Sequence, residues 1–253
     1  MILQEFDKNV AKIEPTFNHK KIENFPETLI AVFSYNIFNE LLNRFSPKII
    51  ASFEDVDAKW NIYSLEYKNK QFAFFKARYG APASVASFER IIAMGAKRIV
   101  VCGSCGVLDP KIQECNIIIP THAIRAEGTS YHYAIANDVI DVDKKYIDVF
   151  KEVCRENNYS YILGGVLTTD SFYRETQRKI ETAIKMGAIC VDMECAALQA
   201  LCDFRKVEFF QFFFTSDNLG SKTWNPRSLD GNLLLDKKTQ ISLLAFELAS
   251  RIE

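Results

Sequence analysis

Two carboxylates stand out as residues placed to do chemistry: Asp192 and Glu194 in the run Val191-Asp192-Met193-Glu194-Cys195-Ala196-Ala197-Leu198. A short apolar stretch, Ala188 to Val191, precedes them, and helical spacing from Cys195 to Phe204 follows. They therefore stand at the carboxyl end of a strand, just where a helix begins. That edge of an open α/β sheet is where ligands bind. Glu194 there either favours the positive end of the helix dipole or holds a polar group of a ligand, and the stretch alone does not choose.

Three further polar stretches follow apolar ones. Gly103-Ser104-Cys105-Gly106 comes after Arg98 to Cys102. It offers backbone N–H groups and one hydroxyl to an anion, or it is simply a tight exit from a strand. It is neither a Walker A loop nor Gly-x-Gly-x-x-Gly, so nucleoside triphosphates and dinucleotides lose support. Ser216-Asp217-Asn218 comes after the aromatic run Val207 to Thr215. Asp217 is a general acid if apolar surroundings raise its pKa, or else a cap for the next turn. Thr169 to Glu175 comes after Tyr161 to Thr168 and carries Phe172 and Tyr173, which stack either on a flat ligand or into the core. A fourth loop, Arg125 to Tyr133, follows the strand expected at Cys115 to Pro120.

Other chemistries lack their residues. The histidines are His19, His122 and His132, with no His-x-x-x-His and no Cys/His cluster, so no metal site is expected. Of the seven cysteines, Cys102 and Cys105 spell Cys-x-x-Cys, but there is no second pair and no redox flanking context. Reduced thiols in a cytoplasmic protein are the expectation. No Gly-x-Ser-x-Gly elbow occurs, which argues against a serine hydrolase.

The elements that must position these residues are legible from spacing. Leu29 to Phe33 reads as a buried strand, and Tyr35 to Phe45 as a helix that stops before Pro47. Trp60 to Tyr67 and Gln71 to Ala77 alternate about Lys68-Asn69-Lys70 as a hairpin. A helix runs from Pro82 through Met94, another from Lys144 to Asn157, a third from the Thr169 stretch to Met186, and a last one from Leu234 to Arg251. Residues 1–27 read as an extended arm with a turn near Pro26. Strands alternating with helices predict one α/β domain over residues 1–253, with a mostly parallel twisted central sheet and helices on its flanks.

Composition fits a soluble globular domain: 253 residues, 48% hydrophobic, 25% charged, net charge −1. Neither nucleic acid nor an anionic membrane is favoured electrostatically, whereas a small anion needs only a local site. No apolar run reaches the roughly 20 residues of a membrane helix, and the first residues lack the order of a signal peptide.

Taken together, Gly103-Ser104-Cys105-Gly106, Glu127-Gly128-Thr129-Ser130, Asp170-Ser171-Phe172-Tyr173, Val191-Asp192-Met193-Glu194 and Ser216-Asp217 follow the order seen in the nucleoside phosphorylase-I superfamily. That superfamily includes purine nucleoside and uridine phosphorylases and related nucleosidases, and the resemblance spans roughly residues 29–250. It implies that Glu194 binds the ribose hydroxyls with Met193 against the sugar, and that Phe172 and Thr169 lie at the base. It implies that Asp217 gives a proton to purine N7. Gly103, Ser104 and Arg125 would hold phosphate, the co-substrate, with no cofactor. The activity implied is cleavage of a nucleoside, purine by preference, to free base and ribose 1-phosphate, in purine salvage. A homo-oligomer (dimer, trimer or hexamer) is also implied, because the family builds sites across subunits. Two departures favour an alternative, hydrolysis of a nucleoside or AMP by water. Phe33-Ser34-Tyr35-Asn36-Ile37 replaces the usual Gly-Asp-Pro-x-Arg, and Val101 replaces an arginine three residues before Ser104. Arg78, Arg125 and Arg174 are the nearby candidates to compensate. A uridine phosphorylase is a further alternative, although Thr176-Gln177-Arg178 lies one residue out of step with the uracil-reading Gln and Arg of that branch. A non-catalytic nucleoside-binding member is the third possibility.

Overall fold

The structure is a computed structural model that describes residues 2–56 and 58–252, so the ends of the expected domain, Met1 and Glu253, lie outside the described residues. Its first strand, β1 (Thr28–Val32), is buried at every position, as a continuous apolar run requires when both faces of a sheet are covered. Helix α1 (Tyr35–Phe45) starts where the Ser34 hydroxyl accepts the Ile37 N–H and stops at Ser46, which takes a left-handed backbone before Pro47. Strand β2 (Lys48–Glu54) then pairs with the hairpin of β3 (Lys59–Tyr67) and β4 (Lys70–Lys76). The hairpin turns at Lys68 and Asn69, both at positive φ. Helix α2 (Ala81–Met94) carries Pro82 in its first turn and ends on Gly95, whose φ of 137° suits only glycine.

The second half supplies β5 (Arg98–Val107), β6 (Ile117–Ala126), β7 (Val139–Asp141), α3 (Ile147–Glu156) and β8 (Tyr161–Thr169). These are followed by α4 (Gln177–Lys185), β9 (Ala188–Asp192), α5 (Cys195–Arg205), β10 (Glu208–Asn218), α6 (Leu235–Ser242) and α7 (Leu244–Ile252). The expected final helix is thus two helices meeting at Leu243. The stretch from Thr169 to Met186 splits as well, into a 3-10 turn at Phe172–Arg174 and α4. In the N-terminal arm, Phe25 is buried and the Ile22 N–H bonds to the Met94 carbonyl.

The strand order is β10-β6-β8-β9-β5-β1-β4-β3-β2, and β10 pairs with β5 as well. Strands β5, β10, β6, β8 and β9 therefore close on themselves, while β1, β4, β3 and β2 extend the sheet to one side. Pairing is parallel in β1–β4, β1–β5, β5–β10, β6–β8 and β8–β9. It is antiparallel in the hairpin and where β5 meets β9 and β6 meets β10. The sheet is mixed, with its parallel pairs at the centre. Gly103 to Gly106, which reads as a loop in the sequence, continues β5 instead. Residues 103–105 pair with Phe213, Phe214 and Thr215 of β10, and Gly106 pairs with Val191 of β9.

Helices cover both faces. Helices α1, α3, α6 and α7 pack on one through Leu41, Phe150, Ile241 and Phe246, against Phe74 and Phe212. On the other, α2 and α5 pack through Phe88, Ile91, Leu198 and Leu201 against Phe75 and Val101. Each such fully buried side chain contributes roughly 1.5–3 kcal/mol. None of the helices among the described residues is long and apolar enough to cross a membrane.

Candidate active site

The carboxyl ends of β5, β9 and β10 converge on a cavity of about 690 Å³. At the end of β9, Asp192 fixes the local turn. Its Oδ1 accepts the Thr168 hydroxyl at 2.7 Å, and its Oδ2 accepts the N–H groups of Glu194 at 3.0 Å and Cys195 at 2.7 Å. The same Thr168 oxygen accepts the Ala196 N–H at 3.1 Å. Asp192 thus caps α5 and sets the backbone from which Glu194 projects. Burial raises the Asp192 carboxyl above its usual range, against these hydrogen bonds.

Glu194 is 6% exposed, and its Oε1 accepts the Gly80 N–H at 2.6 Å. Gly80 has φ of 86°, a conformation that lets its backbone turn toward the carboxylate. Burial, and then the adjacent Asp192 charge, push the Glu194 carboxyl well up. A site that places two hydroxyl donors on this carboxylate restores what burial removed.

Asp217 stands on the wall formed by β10. Its Oδ2 accepts the Trp224 indole N–H at 2.8 Å, and Ser216 Oγ lies 3.1 Å from its Oδ1 and 3.2 Å from the Cys105 carbonyl. Trp224 is brought there by a loop that folds back on the strand, with Asn218 and Asn225 exchanging backbone hydrogen bonds of 2.9 and 3.0 Å. The Asp217 carboxylate is held by side chains and caps no turn among the described residues.

Phe172 and Tyr173 lie at the rim with centroids 4.0 Å apart, 42% and 87% exposed, and Tyr79 meets Phe172 edge-on at 6.5 Å. They are not core residues; their faces are open to a flat ligand. Met193 and the exposed Ser104 also line the cavity, as does Gly103. Phe33 and Phe213 crowd Gly103, where a Cβ would sit 3.3 Å and 3.5 Å from their rings.

Two expected residues are not brought to the cavity. Arg125 is buried, and its guanidinium bonds to Ser130 Oγ at 2.8 Å and to the carbonyls of Ile135 at 2.7 Å and Asn137 at 3.2 Å, over the Tyr131 ring. These contacts pin the loop after β6 and leave Arg125 outside the cavity lining, so the phosphate role expected of it has no geometric support in this chain. Thr169 is buried as well, accepting the Ser171 N–H at 3.2 Å. It braces the turn that presents Phe172 and does not line the cavity. Of the other arginines, Arg78 pairs with Asp55 and lies over Trp60.

The cavity also holds Phe33 and Gln177, which the sequence marked only by their places in family motifs, and residues to which it gave no role: Tyr79, Lys222, Trp224 and, above all, Glu175. Burial and the Asp217 charge raise Glu175 to about 7, with Lys179 opposing. Only the fold brings Glu175 and Asp217 together, so no local spacing marks the pair. Among the described lining residues Lys222 is the one cation, on a lining that also carries the carboxyls of Glu175, Asp192, Glu194 and Asp217.

Residues 40–248 match the phosphorylase superfamily. A guanosine phosphorylase of Halorubrum lacusprofundi is 21% identical over 143 residues, 56% of this chain and 59% of that protein. A DeoD-type purine nucleoside phosphorylase of Streptococcus pyogenes is 25% identical over 208 residues, 79% of this chain and 76% of that one. Among solved structures, uridine phosphorylase from Vibrio fischeri superposes with a TM-score of 0.77 at 20% identity, covering 90% of this chain and 93% of its own. The 5′-methylthioadenosine/S-adenosyl homocysteine nucleosidase of Campylobacter jejuni gives 0.74 at 19% identity, covering 90% and 100%. The chain belongs to the phosphorylase superfamily, whose members here include phosphorylases and a nucleosidase.

Proposed function

We propose that this protein is a nucleoside phosphorylase that cleaves the N-glycosidic bond of a purine nucleoside with inorganic phosphate, giving free base and ribose 1-phosphate. The observation that carries the reading is that Glu194 and Asp217, from the ends of two different strands, face one cavity with an open aromatic pair at its rim. Breaking the bond leaves positive character on the ribose and negative charge on the base. Glu194 accepts the ribose hydroxyls, Met193 packs on the sugar, and Phe172 packs on the base. Asp217 hands a proton to N7, so the base leaves neutral. Both actions strengthen in the transition state, which is the condition for raising the rate. The relatives named as purine and guanosine phosphorylases support the choice of base.

Phosphate would meet Ser104 and the backbone at Gly103. No metal or organic cofactor enters this mechanism. A homo-oligomer fits the reading, a neighbouring copy supplying cations to the phosphate end. Nucleic acid and membrane have no part in it. The seven cysteines, all buried free thiols, suit the reducing cytoplasm, where the proposed reaction would serve purine salvage.

Hydrolysis is the second reading, and one observation favours it. Phe33 and Phe213 wall the Ser104 end, and Lys222 is the cavity's one cation among the described residues. Charge-assisted hydrogen bonds are the strong ones for a phosphate dianion. The test is a panel of purine and pyrimidine nucleosides and AMP, each with and without phosphate. Phosphate-dependent release of purine with ribose 1-phosphate supports phosphorolysis; release of ribose without phosphate supports water as nucleophile. Replacing Asp217→Asn is expected to lower turnover about 10²- to 10⁴-fold with the fold retained. Wild-type turnover in that variant, or in Glu194→Gln, would remove the residue from the mechanism.

A further inference from the structure

Gln211 is a buried amide that the proposed mechanism leaves unused. It stands on β10 with 3% of its surface exposed, and it lines the cavity together with Gly103, Phe213 and Glu194. Neither Oε1 nor Nε2 has a hydrogen-bond partner among the described residues. Its register neighbour on β5 is Val101, whose apolar side chain offers none. Leaving both ends of a buried amide unmet costs more than an apolar side chain of similar size would. Behind Gln211, a void of about 10 Å³ bounded by Cys195, Gln199 and Phe210 is at the lower limit for a single water. The amide therefore either holds such a water for purely structural ends or serves a group that enters the cavity.

Position and chemistry favour the second. Gln211 stands well before Asp217 on β10, inward from the strand end that meets the base. Alternate residues of a strand share a face, so the next rung outward on its face is Phe213. Phe213 pairs with Gly103, whose backbone the proposed function gives to phosphate. A primary amide presents N–H donors and a C=O acceptor together. That set suits a group that accepts and donates at once, as hydrogen phosphate and water both do. The amide is also uncharged, so it can hold such a group without pairing with the Glu194 and Asp217 carboxyls on the same lining.

Resting on the nucleoside-cleaving reading, we propose that Gln211 holds and orients the oxygen nucleophile at the floor of the cavity, Nε2 donating to it and Oε1 accepting from it. The amide makes hydrogen bonds only; no bond to carbon forms or breaks on it.

The experiment compares wild type with Gln211→Leu and Gln211→Glu. Leucine removes both hydrogen-bonding ends; glutamate keeps the shape and exchanges the donor for an acceptor and a negative charge. Release of base from a purine nucleoside is followed over a series of inorganic phosphate concentrations and without phosphate. If phosphate is the nucleophile, Gln211→Leu raises the KM for phosphate about tenfold or more with the KM for nucleoside little changed, and Gln211→Glu, which repels the anion, is worse. If water is the nucleophile, Gln211→Leu lowers the phosphate-independent kcat about tenfold at an unchanged nucleoside KM. Gln211→Glu, which still accepts a hydrogen bond from water, then keeps more turnover than Gln211→Leu. Wild-type constants in Gln211→Leu, or a nucleoside KM that rises as much as the effect on the nucleophile, would overturn the proposal. Tm separates this role from a structural one. Removing an unmet amide leaves the Tm of Gln211→Leu equal to or above that of wild type, whereas a fall of about 3 °C or more marks an amide satisfied within the fold and overturns the proposal. If wild type releases base from no nucleoside, the functional reading fails, and a thermal shift decides the role of Gln211. A rise in Tm with inorganic phosphate, against chloride of equal ionic strength, that wild type shows and Gln211→Leu loses supports an oxyanion held there. An equal rise in both proteins, or none in either, overturns it.

Discussion

Gly106 gives the most direct test of how the fold aims Asp217. It lies in β5 opposite Val191 of β9, and its φ is not in the left-handed region, so alanine is acceptable to the backbone itself. The obstacle is space. A Cβ on Gly106 would come 2.4 Å from Leu219 Cδ1, 3.0 Å from Asp217 Oδ1 and 3.2 Å from Val191 Cγ1. Ordinary contact begins near 3.4 Å, so Leu219 must withdraw by about 1 Å and Asp217 by a few tenths of an ångström. Any such shift lengthens the 2.8 Å hydrogen bond from Trp224 or the 3.1 Å contact with Ser216. Overpacking of this kind costs about 2 kcal/mol, which lowers Tm by about 4–8 °C for a chain of this size. Displacement of a proton donor by a fraction of an ångström to 1 Å lowers turnover by about 10–100-fold. Gly128→Ala is the control: Gly128 lies outside the cavity lining at φ −94°, and its Cβ would come no closer than 3.9 Å to any neighbour, so it leaves Asp217 alone. Differential scanning fluorimetry and base release are measured on both variants. A Gly106→Ala protein with wild-type Tm and wild-type turnover, or one no different from Gly128→Ala, refutes the reasoning.

Two further outcomes follow from the geometry. Arg125→Lys cannot reproduce the fork that holds Ser130, Ile135 and Asn137, and is expected to cost about 2–4 kcal/mol. Its Tm should fall while the phosphate dependence of any turnover stays the same; lost phosphate dependence at an unchanged Tm would return Arg125 to the anion site. Glu175 in the folded chain titrates at about 7 against an ordinary 4.5, so the native state binds the extra proton between those values and stability falls as pH rises through that window. Glu175→Gln should therefore match wild type in Tm near pH 4.5 and exceed it at pH 8. The gain is about 1 kcal/mol after allowance for solvent screening of a partly exposed group. A Tm difference that is the same at both pH values would contradict the assigned cause.

The elements of this fold are largely legible in the chain because their causes are local. Helix α1 follows from the spacing of Ile37, Phe38 and Leu41, with Ser34 as its cap and Pro47 beyond its end. The hairpin follows from alternation on either side of Lys68-Asn69. The break at Leu243 is not marked by Gly or Pro, and α6 and α7 read as one helix. The end of strand β5 has no such local mark. Glycine is depleted in strands, so Gly103-Ser104-Cys105-Gly106 reads as a turn. Yet small residues are what β5 needs there, because the Phe33 and Phe213 rings, Leu219 and Asp217 occupy the space that side chains would fill.

The sequence by itself determined the alternation of strands and helices and the placing of Glu194 and Asp217 at strand ends, since periodicity, caps and turn residues act over a few positions. The tertiary structure alone decided that β10 pairs with β5 and closes the sheet, that Arg125 turns inward to its own loop, and that Glu175 shares a cavity with Asp217. Each of these depends on which distant groups fill a given space, and on which charges are dried together when they do. Local spacing carries no record of either.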